Sequence, residues 1–196
     1  MSSFIHKDIE FVLPGIFRAD RRDRTDNFLT EGTVCFTNLA CIRSCEQHER
    51  GDLNDGFGVT INNGIRSTSE YSNPIFVWCS TMETHPHTVM NTWQDKDTII
   101  QFTDTLNFLE RLRDAARPAG IIGPPMTGPV TYDKDEGSRR NEFWAQPAFQ
   151  KNLRFSPQKE FRIALVGDET LSKCKNIFLE IKNPNDVARI YFPSAP

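Results

Sequence analysis

The stretch Gln158-Lys-Glu160-Phe-Arg162 carries an amide, a carboxylate and a guanidinium at every second position. Side chains alternate along an extended strand, so these three share one face while Phe161, Ile163 and Leu165 share the other. Two readings fit the polar face. It is the wet side of an ordinary antiparallel strand, with Glu160 and Arg162 as weakly interacting surface neighbours, or it is the working face of a site. Two further polar residues stand at the ends of apolar runs. Arg18 follows Ile16-Phe17, where a cationic fork is suited to gripping a phosphate bidentately. Ser80 follows the run from Ile75 to Cys79.

The elements that must position these residues belong to a chain of 196 residues, which fits a single domain, 1–196, with a substantial core. Its 23 basic and 26 acidic residues leave a formal net charge of −3, which argues against holding nucleic acid by bulk electrostatics. The 15 phenylalanines and the β-branched runs favour strands. No apolar run approaches the length of a membrane span and no signal-peptide pattern follows Met1, so the expectation is a soluble, cytoplasmic protein without a membrane partner. Five cysteines, an odd number without disulfide-framework spacing, suit a reducing compartment.

In chain order, Phe11 to Leu13, a Pro14-Gly15 turn and Ile16 to Arg18 read as the opening strand. Asp26 to Gly32 has the cap-and-stop grammar of a short helix. A strand from Thr33 to Thr37 precedes a helix capped by Asn38 and running to about Arg50. Cys41, Cys45 and His48 share one face of that helix, with Cys35 just before it. Their spacing matches no common zinc pattern, so no metal is expected. Gly51 to Gly64, with Arg50-Gly51-Asp52 at its start, reads as a long loop. Ile75 to Cys79 is a buried strand, and His85-Pro86-His87 a polar turn. After Trp93, Thr98 to Phe102 is a strand, followed by a helix from a Thr103 or Asp104 cap to Arg117. Leu106, Leu109 and Leu112 form its apolar stripe, flanked by Phe108 and Ala116, and Pro118 closes it. Pro118 to Ser138 reads as a long irregular connection, and Arg139-Arg140 with Phe143-Trp144 as a basic–aromatic pairing. Asn176 to Lys182 and Val187 to Phe192 read as a hairpin closed by Asn-Pro-Asn-Asp.

No Gly-rich phosphate loop, GxSxG elbow or HExxH helix is present, which argues against Rossmann dehydrogenases, P-loop ATPases and zincins. Arg18 in an early strand, Ser80 after an apolar strand, and Gln158-x-Glu160 opening a later strand resemble the Arg-Ser-Glu pattern of the ADP-ribosyltransferase superfamily. The piece from Phe155 to Glu160 is similar to that family's substrate-recognition turn. A literal Ser-Thr-Ser stands at Ser67 to Ser69, but in a polar context, so Ser80 is the better match. Most of the chain also resembles a family of uncharacterised bacterial and phage proteins, through EGTVCFTNL, ERGDLNDG, IFVWCS and QKEFRI.

The transferase resemblance implies cleavage of the nicotinamide–ribose bond of NAD, as substrate, and transfer of ADP-ribose to a protein or nucleic-acid acceptor. In it Glu160 stabilises an oxocarbenium-like ribose and Ser80 orients Glu160 beside the NAD. Arg18 holds the phosphates, Gln158 positions the acceptor and Phe155 contacts it. Such a protein is expected to be a bacterial toxin or anti-phage effector, with an antitoxin or other protein as partner. An NAD glycohydrolase, with water as acceptor, is a close variant. A non-catalytic binding module of the same fold is the alternative from another class, marked by Glu160 paired to Arg162 or Arg18 as a structural bridge. A nucleic-acid-binding protein requires Arg139, Arg140, Arg154 and Arg162 on one face with Trp144 or Phe155. The expected fold is α+β, with two packed, mainly antiparallel sheets in a split β-sandwich of ADP-ribosyltransferase type, flanking helices and a site in the cleft between the sheets.

Overall fold

The structure, a computed structural model, describes residues 2–6, 9–13, 15–44, 55–62, 64–83, 96–133 and 146–191. Cys45, His48, Arg50 to Asp52, His85 to His87, Trp93, Arg139, Arg140, Phe143 and Trp144 lie outside them. Among the described residues the fold is α+β, with a large antiparallel sheet, two small two-stranded sheets and a few helices. No described helix is long and apolar enough to cross a membrane. The chain forms two compact units. One holds Met1–Val34, Ser80–Ala119 and Phe178–Pro196, and the other holds Cys35–Cys79 and Gly120–Ile177.

In the first unit, β1 (Ser2–His6) and β2 (Ile9–Leu13) form a hairpin. β3 (Ile16–Asp20) runs antiparallel to β8 (Thr98–Phe102), from Ile16 opposite Phe102 to Asp20 opposite Thr98. β12 (Ala188–Ile190) takes the other edge of β8. Two helices cover this ladder. α1 (Arg22–Glu31) contributes Phe28, whose ring meets Phe102 at 5.8 Å and Phe108 at 6.4 Å. α3 (Thr105–Ala116) is capped as the sequence predicts, with the Asp104 side chain accepting from the Asn107 N–H at 3.1 Å. Its buried face is Thr105, Phe108, Leu112 and Ala116, whereas Leu106 and Leu109 are only half-buried. The stripe is turned because Phe108, the largest apolar group on the helix, packs at 4.5 Å on Phe102 and takes the centre of the contact.

α1 begins four residues before the expected Asp26 start, yet it stops where the sequence predicts. Gly32 adopts φ 75, and a Cβ there would lie 1.9 Å from the Ile181 carbonyl oxygen. Only glycine satisfies both the left-handed backbone and that close approach.

In the second unit, which takes β4 (Thr33–Asn38) from Cys35 onward and β7 (Ile75–Thr81) up to Cys79, α2 (Leu39–Ser44) follows β4, with the Asn38 side chain accepting from the Ala40 N–H at 3.0 Å. β7 and β9 (Met126–Pro129) flank β10 (Glu160–Val166), where Arg162 lies opposite Gly128. The core gathers Leu39, Ile75, Val77, Ala148, Phe149 and Ala164. β9 falls inside the stretch expected to be irregular. The expected loop from Gly51 to Gly64 contains β5 (Phe57–Asn62), which pairs with β6 (Ile65–Glu70). Phe57, Val59 and Ile61 alternate, but the glycines and asparagines around them mask the pattern.

The expected hairpin near the C-terminus is replaced by a different connection. β11 (Asn176–Glu180) runs beside β4, while β12 pairs with β8. The Asn-Pro-Asn-Asp segment is a 3-10 turn over Pro184–Asp186, with Asn183 at φ 49. Arg111 of α3 holds this turn by donating to the Lys182 and Asn183 carbonyls and to Asp186. Turn chemistry marks a reversal but does not choose the strand's partner.

Candidate functional site

The expected residues fall in two places. Arg18 and Ser80 belong to the first unit; Phe155, Gln158 and Glu160 belong to the second.

In the first unit, alternation along β3 sets Arg18 two residues from Asp20. The Arg18 Nε donates to Asp20 Oδ2 at 3.0 Å, Lys96 Nζ reaches Asp20 Oδ1 at 3.1 Å, and Arg24 stands 3.8 Å away. Burial pushes the Asp20 carboxyl up. Arg18, Lys96 and the Arg21 N–H outweigh it and hold the group at about 2, below its ordinary 3.8. A carboxyl depressed on folding contributes stability that is complete above its unfolded value and is lost as pH falls through the folded one. Asp20 thus contributes about 2 kcal/mol at neutral pH. Acid titration followed by thermal melts is expected to show a steep loss between about pH 4 and pH 2, with the slope reduced in Asp20→Asn. Ser80 is buried near the end of β7.

In the second unit, the Gln158-x-Glu160 element is not one strand. A 3-10 helix over Leu153–Gln158 ends at Lys159, whose φ of 42 and ψ of 49 turn the chain before Glu160 opens β10. A non-glycine residue in this region is uncommon and carries a conformational cost. The turn brings Gln158 and Glu160 to the same ammonium. Lys151 Nζ lies 3.2 Å from Gln158 Oε1, 2.9 Å from Glu160 Oε2 and 5.2 Å from the centre of the Phe155 ring. Three of the five expected residues therefore meet around Lys151. Lys151 stands isolated between Gln150 and Asn152, so the sequence around it carries no local signal of this role.

The polar face of β10 is not wet. Glu160 is 7% exposed and Arg162 is 1% exposed. Arg162 spends every guanidinium N–H. Its Nε and Nη2 donate to Glu160 at 3.2 and 3.3 Å, and Nη1 and Nη2 donate to the two oxygens of Asp55 at 2.8 and 2.7 Å. The remaining N–H on Nη1 reaches the Ala148 carbonyl at 2.7 Å. Asp55 is fully buried and comes from the turn before β5, beside Gly56 at φ 85. Asp55, Arg162, Glu160 and Lys151 thus form a buried chain of alternating charge that sums to zero.

Electrostatics follow from this chain. Burial alone raises the Glu160 carboxyl, but Arg162, Lys151 and a hydrogen bond from the Cys79 thiol hold it well below the usual carboxylate range. Burial, reinforced by the Glu160 charge, pushes the Cys79 thiol up to about 12, so it is a donor here and not a nucleophile. The Tyr132 hydroxyl accepts from the Glu160 N–H at 2.8 Å, and burial raises that phenol to about 12. Arg162 is removed from any nucleic-acid-facing surface, while Arg154 lies over the Phe155 ring at 4.6 Å. Ser67 to Ser69 stand exposed on β6. Set against family models, curated proteins and solved structures, the chain matches none.

Proposed function

We propose that this chain is a non-catalytic protein-binding module built on the split β-sandwich that ADP-ribosyltransferases use. One observation carries the proposal: both oxygens of Glu160 are held by cations inside the protein, by Arg162 at 3.2 and 3.3 Å and by Lys151 at 2.9 Å. A carboxylate stabilises a developing positive charge by the charge it still has to offer. With two cations in contact, Glu160 has little left for a ribosyl cation, and Lys151 opposes one directly. The group instead ties the start of β10 to Lys151 and Arg162.

A second reading, an NAD-dependent ADP-ribosyltransferase or NAD glycohydrolase, is favoured by the meeting of Phe155, Gln158 and Glu160 around one point. In that reading Lys151 must leave Glu160 before NAD is cleaved, and the acceptor is a protein, a nucleic acid or water. Purified protein incubated with NAD, alone and with a cell lysate supplying acceptors, separates the two. The module reading expects no nicotinamide release from wild type or from Lys151→Met, and a lower unfolding midpoint for Glu160→Gln. Release by wild type that Glu160→Gln abolishes and Lys151→Met increases would establish the enzyme instead.

A further inference from the structure

All six side chains of β6, from Ile65 to Glu70, are exposed, with Ile65 at 69% exposure. Its partner β5 has its own outer edge closed by a side chain. The Gln150 amide accepts from the Val59 N–H at 2.6 Å and donates to the Val59 carbonyl at 3.0 Å, doing the work of a neighbouring strand. Val59 therefore turns its backbone away from β6. Because Val59 lies opposite Thr68, the alternation of an antiparallel ladder turns the N–H and C=O of Arg66, Thr68 and Glu70 away from β5 in the same manner. No described strand pairs with that edge. Free edges are normally blunted by charged side chains, lysine above all, by proline or by a bulge. The two charges of β6, Arg66 and Glu70, are of opposite sign and so can pair across the edge instead of repelling a second strand. Residues 65–70 contain neither lysine nor proline, and the register from Phe57–Glu70 to Asn62–Ile65 is unbroken.

We propose that β6 pairs antiparallel with β6 of a second copy of this chain, about a two-fold axis through Thr68. In this register Thr68 faces the partner's Thr68, Arg66 faces the partner's Glu70, and Glu70 faces the partner's Arg66. All three residues with outward backbone then enter hydrogen-bonded pairs. The opposite face sets Ser67 against the partner's Ser69, and Ile65 gains the partner's Tyr71. Glu70 has an oxygen to give, since both contacts of its bridge with Arg43 fall on Oε1. The neighbouring registers set Arg66 opposite Thr68 or Ser72, and the next ones bring like charges together, so charge selects this pairing. The proposal is independent of Glu160 and of the function assigned to it.

Sedimentation of the full chain over a range of concentrations tests it. A narrow edge contact predicts a reversible dimer with a dissociation constant on the order of 10–100 µM. Arg66→Glu and Glu70→Arg are each expected to weaken it roughly tenfold or more, since each places like charges opposite one another twice. Mixing the two variants restores a dimer, because each variant's altered residue then faces an opposite charge. Thr68→Pro removes an outward N–H and leaves the β5 ladder intact. That variant is expected to be monomeric with an unchanged circular dichroism spectrum. A wild type that stays monomeric throughout, or a dimer indifferent to Arg66→Glu and Thr68→Pro, would overturn the proposal.

Discussion

Arg162→Met is expected to lower the free energy of unfolding by about 3–5 kcal/mol, as read from urea denaturation of the variant beside wild type. Methionine fills much of the arginine's volume, so the loss is electrostatic and not a cavity. The change strips Asp55 of both contacts at 2.7 and 2.8 Å and leaves the Ala148 carbonyl without its 2.7 Å donor. Two carboxylates then share a buried region with only Lys151 to balance them. Against the roughly 5–15 kcal/mol that holds a typical domain together, such a loss is a large share of the total stability. A compound variant with Asp55→Leu, Lys151→Met, Glu160→Leu and Arg162→Met is expected to recover much of the deficit, because removing a whole buried ion network is far cheaper than orphaning part of it. An Arg162→Met protein as stable as wild type would show that Asp55 and Glu160 reach water and that the network is not a structural one.

Gly32→Ala carries the next largest expected cost. The residue sits at φ 75, and an added Cβ would fall 1.9 Å from the Ile181 oxygen. The same peptide is already fixed on both sides. The Gly32 N–H donates to the Phe28 carbonyl at 2.8 Å, and its carbonyl accepts from the Ile181 N–H at 3.0 Å. Retreat from the clash therefore breaks a helix stop or a strand contact. The backbone penalty of about 1–2 kcal/mol and an overpacking penalty of about 1–3 kcal/mol together predict a loss of about 2–5 kcal/mol. Gly64 is the internal control, since it has a similar φ of 79 with nothing within reach of a Cβ. Gly64→Ala is expected to lose only the backbone share, and equal losses at the two sites in thermal melts would remove the steric argument.

The features legible in the sequence were those written locally. The cap at Asp104, one of two adjacent candidates, the Gly32 stop and the apolar run of Ile75 to Cys79 each depend on neighbours a few residues away, and each stands where the sequence places it, the strand continuing two residues further to Thr81. Alternation correctly put Glu160 and Arg162 on one side of a strand. It did not show that this side is buried, because the partners that make burial tolerable come from elsewhere. Asp55 arrives from a turn amid glycines, and Lys151 from an extended segment with no periodicity. A lone charge in irregular chain looks the same whether it is solvated or paired across the core. Alternation alone places Gln158 on the strand face, because the left-handed turn at Lys159 falls on a residue type that seldom makes it.

The separation of β11 from β12 also bears on how the protein is made. These strands are neighbours in sequence, yet β11 completes a ladder begun by β4, and β12 one begun by β8. Contacts between distant parts of a chain require large loops to close, so they form slowly and set a high contact order. During synthesis, at about 5–20 residues per second, the edges of β4 and β8 wait on the order of ten seconds for the strands that cover them. For that interval the nascent chain presents open β-edges beside apolar side chains, and the residues from Asn176 to Ile190 decide when the exposure ends.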